Sequence, residues 1–193
     1  MGTRALSILV LLAVAGSILQ AKENDGADAP SKRAFVFGDV AYFHRWSQND
    51  QHEFTPAQQE DLKRWSDMIT VNGYPDVADG DQLAATATAV LENYKKHQAK
   101  VLKTRSVPRT AEQPAEHLIA VIFTQPDFIE VAFARFKLLD GKGCSLVYSH
   151  RIYGNEIGDA MRAWLSAHGD HIETTLMEWN SIPSPTLLRQ QPL

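Results

Sequence analysis

One cysteine, Cys144, occurs in 193 residues. No disulfide can form within the chain, so even in an oxidising compartment its stability has to come from packing. N-x-[ST] acceptors are absent, which favours a bacterial product over a eukaryotic glycoprotein. Also missing are a G-x-S-x-G nucleophile elbow, a phosphate-gripping G-x-x-x-x-G-K-[ST], a GxGxxG after a strand, an S-x-x-K and an HExxH. Each of these absences removes one standard catalytic or cofactor-binding frame, and no cofactor is expected. Excess positive charge is lacking too. The formal net charge is −4, whereas a nucleic-acid binder would normally be basic, so nucleic acid is set aside as a partner.

Long hydrophobic runs are scarce. Only Ala5 to Leu19 is continuously uncharged and apolar, preceded by Arg4. As a helix its 15 residues reach about 22 Å, short of a roughly 30 Å hydrocarbon core. Residues 1–21 are therefore read as a signal peptide cut after Ala21, and 22–32 as a flexible polar lead. This reading places the mature chain in the periplasm or outside the cell, with no stable membrane span.

What remains has a globular composition, 44% hydrophobic and 22% charged, in a length that suits one domain. Ala34 to Trp46 is rich in aromatics and valine and reads as a strand bent at Gly38, followed by a loop over 47–53. Thr55, Pro56 and Gln58 carry the signs of a helix start, and Leu62, Trp65, Met68 and Ile69 follow at helical spacing up to Asn72-Gly73. A second helix is predicted from Asp79 or Asp81, with Leu83, Ala87, Val90, Leu91, Tyr94 and Val101 on its buried side. From His117 the period changes from 3.6 to 2. His117 to Thr124, Asp127 to Leu139 and Cys144 to Tyr153 form a meander, with Asp140-Gly141-Lys142-Gly143 as its turn. Two closing helices are expected: the first capped by Asn155 and stopped by Gly169, the second opened by an Asp170/Glu173 capping box. The sum is a single α+β domain over 33–183, an antiparallel sheet of about four strands covered by helices on one face, then a loose tail over 184–193.

Charge is unevenly distributed. Residues 50–81 hold eight acids and two bases, while 93–111 hold six bases and no acid. The lysines near the end of the second helix suit its dipole, and the two blocks have the charge to compensate one another within the fold or to face partners.

Three groupings could carry chemistry. His168 and His171, with Asp170 and Glu173, have the donor types for zinc, but dipole and capping roles account for the same residues. Cys144 and His150 share one face of a strand, yet six steps of 3.3 Å put them about 20 Å apart, too far for a thiol–imidazole pair. Tyr148, His150, Arg151 and Tyr153 end the last strand, Tyr148 and His150 on one side, Arg151 and Tyr153 on the other. With Trp46 they form the expected binding surface. Glu130 falls on an otherwise apolar face and needs either an arginine or a wet margin. The reading that follows is an exported, non-catalytic binding protein, its partner another protein or else a small ligand. A periplasmic immunity or inhibitor protein that blocks a toxin or enzyme is the concrete version. The rival is a small periplasmic hydrolase built from His150, His168, His171 and Glu130.

Overall fold

A computed structural model describes residues 33–188; the signal-peptide reading of 1–21, the 22–32 lead and residues 189–193 of the tail lie outside that range. Eight strands form one sheet: β1 (Arg33–Phe37), β2 (Val40–Gln48), β3 (Gln51–Pro56), β4 (Asp67–Tyr74), β5 (Lys100–Val107), β6 (Glu116–Thr124), β7 (Phe128–Leu139) and β8 (Lys142–Tyr153). Their order across the sheet is β1-β2-β3-β4-β8-β7-β6-β5, every neighbouring pair antiparallel. Three helices accompany them: α1 (Gly80–Lys96), α2 (Gly158–Glu178) and the single turn α3 (Pro185–Leu188). Two four-strand meanders are thus joined edge to edge through β4 and β8. Because β4 and β5 run in the same direction, their connection has to cross the sheet, and α1 is that crossover.

The four-strand sheet covered on one face is overturned in both respects. There are eight strands, and α1 and α2 lie on opposite faces. Along β6, Leu118 and Ala120 point to a core shared with Met161 and Leu176 of α2. Ile119, Val121 and Phe123 point to a second core with Leu83, Ala87, Val90 and Tyr94 of α1. A strand buried on both faces has no polar side to alternate with, which is why β6 is nearly all apolar.

Three elements differ from expectation for identifiable reasons. Gly38, at φ 56°, does not bend one long strand but makes the turn of a β1–β2 hairpin, because Phe35 pairs with Tyr42 and Phe37 with Val40. The helix expected from Thr55 is absent. Thr55 is fully buried in β3, bonded by Arg45 Nε at 2.9 Å. The Gln59 side chain instead accepts from the backbone N–H groups of Ser66 and Asp67. Met68 and Ile69 then alternate across β4, pairing with Ser149 and Tyr148 of β8. Finally, the two closing helices are one. Gly169 lies inside α2, and Glu173 caps nothing but meets Lys103 at 2.8 Å and Arg105 at 3.6 Å. The N-cap of α2 is Ile157, without a side-chain hydrogen bond, rather than Asn155.

The second predicted helix fares better, although it ends at Lys96 and Val101, expected on its buried side, lies exposed in β5, past the turn at Gln98. Asp79 caps α1 by accepting from the Gln82 N–H, and Lys95 and Lys96 occupy its last turn. Past Pro183 the chain enters α3, whose Leu188 joins the α2-side core. No helix among the described residues is long and apolar enough to cross a membrane.

Candidate functional site

β8 ends where β4 begins, and both faces of the sheet there carry polar and aromatic side chains. On the α2 side, register sets His150 opposite Asp67 and Tyr148 opposite Ile69. Asp67 Oδ1 receives the Tyr148 hydroxyl at 2.7 Å and meets His150 Nδ1 at 2.9 Å; Gln59 Nε2 donates to Oδ2 at 3.2 Å. Burial alone would raise the Asp67 pKa. The hydrogen bonds from His150, Tyr148 and Gln59, with the attraction of His150, outweigh it and hold the carboxyl below its usual range. The Tyr148 hydroxyl is pushed upward, chiefly by burial and then by Asp67. The His150 ring lies flat on Trp164, centroids 4.0 Å apart and planes 5° from parallel, and Trp164 in turn meets His168 at 5.3 Å.

On the α1 side the central group is Arg151. Its Nε donates to Glu130 Oε2 at 2.7 Å, and its guanidinium lies between two rings, 4.1 Å from the Trp65 centroid and 4.3 Å from that of Phe128. Both members of the ion pair are about nine-tenths buried. Glu130 thus finds its arginine, and the pairing is the direct cross-strand one, Glu130 opposite Arg151. Tyr153 packs on Phe128 and donates to the Trp65 carbonyl at 3.0 Å, with the Arg64 guanidinium over its ring at 5.8 Å. Glu53, buried and bonded by Gln51, has a pKa raised by that burial against the lowering effects of Gln51 and Arg151.

Of the five surface residues expected, Tyr148 is buried, and His150 and Arg151 leave little side chain in solvent. Tyr153 and Trp46 are half-exposed, and Trp46 stands opposite Glu53 on β2. The split of Tyr148 and His150 from Arg151 and Tyr153 follows the alternation, so these four meet at one end of the sheet but on two faces, while Trp46, in register with Glu53, Thr70 and Val147, stands apart from them. His168 and His171 are both exposed on α2, and the described residues contain no group of three or more side chains able to hold a metal. Glu130 and His150 lie on opposite faces, so the hydrolase set does not converge. Cys144 is fully buried, its thiol pushed up to about 12 by that burial.

A nucleophile does touch an imidazole elsewhere: Ser106 Oγ is 2.9 Å from His117 Nδ1 across β5 and β6. His117 Nε2 is buried and meets no hydrogen-bond partner among the described residues, so no carboxylate orients that ring in the manner of a triad. Asp67, Trp65 and Trp164 were not singled out as site residues from sequence. Asp67 and Trp65 were hidden by the predicted helix over 55–72, since only the β4–β8 register brings them to β8.

A protein-family model matches residues 29–176 of the chain. No curated protein matches it. Among solved structures, the Saccharomyces cerevisiae Ran-binding protein Mog1p shares 12% identity at a TM-score of 0.48, covering 77% of this chain and 91% of that one. A point mutant of protein Mog1 gives 11% identity and a TM-score of 0.48, covering 77% of this chain and 92% of the other. Human STARD10 gives 9% identity and a TM-score of 0.29, covering 77% and 76%. Likeness at this level places no constraint on the partner or chemistry of this chain.

Proposed function

This chain belongs to the family whose model matches residues 29–176, and we propose that it is an exported, non-catalytic binding protein. Its working surface is the rim of the sheet around Tyr153 and Arg64. The observation that carries this reading is the clamp on Arg151. Two rings and a carboxylate fix its guanidinium, which spends the charge inside the fold and holds Trp65, Phe128 and Tyr153 in one arrangement before any partner arrives. Rigid aromatics at a half-exposed edge lose little freedom on association, a property of strong contact residues. On this reading His150 and Tyr148 act from beneath, tying β8 to Asp67 and Trp164.

The specific role is a periplasmic immunity or inhibitor protein, its rim seated against a toxin or enzyme. Affinity capture from a periplasmic extract with the full chain tests it. A specific partner recovered at physiological salt, and weakened at least tenfold by Tyr153→Ala with an unchanged unfolding midpoint, is the expected result. Recovery of no partner would count against it.

A hydrolase remains as the rival on one observation, the imidazole of His150 held through Nδ1 by Asp67, an arrangement that leaves Nε2 as the accepting nitrogen of the neutral ring. A hydrolytic activity lost in His150→Gln, with capture intact, would favour it.

A further inference from the structure

β5 is the outer strand of the α1-covered half of the sheet. It pairs only with β6, and all eight of its residues are exposed. Five large hydrophobic residues among those described are exposed, and three of them, Val101, Leu102 and Val107, belong to this strand. An open edge of this length presents unused backbone donors and acceptors to any extended chain that reaches it. Register is broken between Val101 and Lys103 and regular from Lys103 to Val107, so the usable edge is that five-residue stretch.

The charge around it is of one sign. Residues 93–111 carry Lys95, Lys96, Lys100, Lys103, Arg105 and Arg109 and no acid. Lys103 and Arg105 turn to the same carboxylate, Glu173 of α2, leaving two cations to one anion. Lys100 and Arg109 have no acidic partner among the described residues. The acidic block over 50–81 lies away from this edge: five of its eight acids lie in β3, β4 and their adjoining turns, across the sheet, and Asp76, Asp79 and Asp81 stand at the start of α1, the end opposite Lys95 and Lys96. A second copy aligned β5 to β5 would bring lysine and arginine against lysine and arginine, a repulsive pairing.

We propose that β5 receives an extended acidic segment of another protein as a ninth strand, bonded along Lys103–Val107. Its carboxylates fall at alternate positions beside Lys103 and Arg105, on the face where Glu173 leaves charge uncompensated, and the residues between them lie on the other face, beside Thr104 and Ser106. Lysines and a bulge also discourage promiscuous edge pairing. Here they exclude neutral and basic strands while admitting acidic ones, so the same residues act as a filter. This surface is separate from the rim around Tyr153 and does not depend on it.

The test uses the full chain and an eight-residue fluorescent peptide of alternating Glu and Val. Anisotropy should show binding that weakens as salt is raised. A peptide with two central residues replaced by Pro, and one of alternating Lys and Val, should bind at least tenfold more weakly. Lys100→Glu and Arg109→Glu, neither of them an ion-pair member, should weaken the Glu–Val peptide, and hydrogen exchange should slow at β5 amides when it is bound. The Pro-containing peptide binding equally well would reduce the contact to charge attraction and overturn strand addition. So would an absence of binding, protection elsewhere than β5, or a chain that dimerises alone with β5 amides already protected.

Discussion

Arg151 is the residue on which the rim turns. Removing one member of a buried ion pair leaves the other charge uncompensated, which costs about 3–5 kcal/mol, and here Glu53 adds a second buried carboxylate nearby. Arg151→Met should therefore destabilise the chain by about that amount. Adding Glu130→Gln to the same chain should recover part of the loss; urea unfolding of the two variants makes the comparison. Asp67 sets the acid side of the stability profile. Its pKa is held below the ordinary 3.8 by His150, Tyr148 and Gln59 against the effect of burial, so the unfolded chain takes up its proton first. The stabilisation is complete above the ordinary carboxylate value and is lost as pH falls through the lower folded value. Asp67→Asn should lower the urea midpoint at pH 6 and lessen its further fall toward pH 2.

At the scale of elements, α2 carries a glycine it does not use. A methyl group at Gly169 would sit 3.7 Å from Leu165 Cδ2 and 3.9 Å from Phe133 Cζ, ordinary contact distances. Gly169→Ala should raise stability by about 0.5–1 kcal/mol, measured as a shift in the urea midpoint. Had Gly169 ended a helix, as its sequence context suggests, the same change would destabilise. Local signals succeeded where they agreed with packing. Asp79 and the apolar stripe of α1 define that helix in sequence and in space, and the period-2 run from His117 marks β6 to β8. They failed between Thr55 and Asn72, where helical spacing of Leu62, Trp65 and Ile69 coincides with a loop and a strand. Only pairing with β8, some 80 residues away, selects the extended form, and helix propensity is too weak to resist it. The continuous apolar run of β6 is a sign of a second covered face that the one-face reading passes over, since a strand with one wet side alternates.

For the whole molecule, two cores share one sheet. β6, β7 and β8 contribute side chains to both, so neither can melt while the other persists. Leu83 on the α1 side and Leu176 on the α2 side are fully buried. Each replaced by Ala should cost about 2–5 kcal/mol and shift the same single transition, seen together by tryptophan fluorescence and circular dichroism. Candidate chemistry was legible only as residue types. Sequence alternation separated Tyr148 and His150 from Arg151 and Tyr153, but the partners that give them roles, Asp67 and Trp164 on one face, Glu130 and Trp65 on the other, arrive through long-range pairing.

The seam between β4 and β8 has a consequence for how the chain is made. β4 finds no neighbour on that side until β8 has been synthesised, so a nascent chain halted at Asp140 would offer its first meander as a bare, sticky border. Closure of a contact spanning this much sequence is slow compared with hairpin formation. The first four strands must wait, shielded or soluble in their own right, for the last strand to dock.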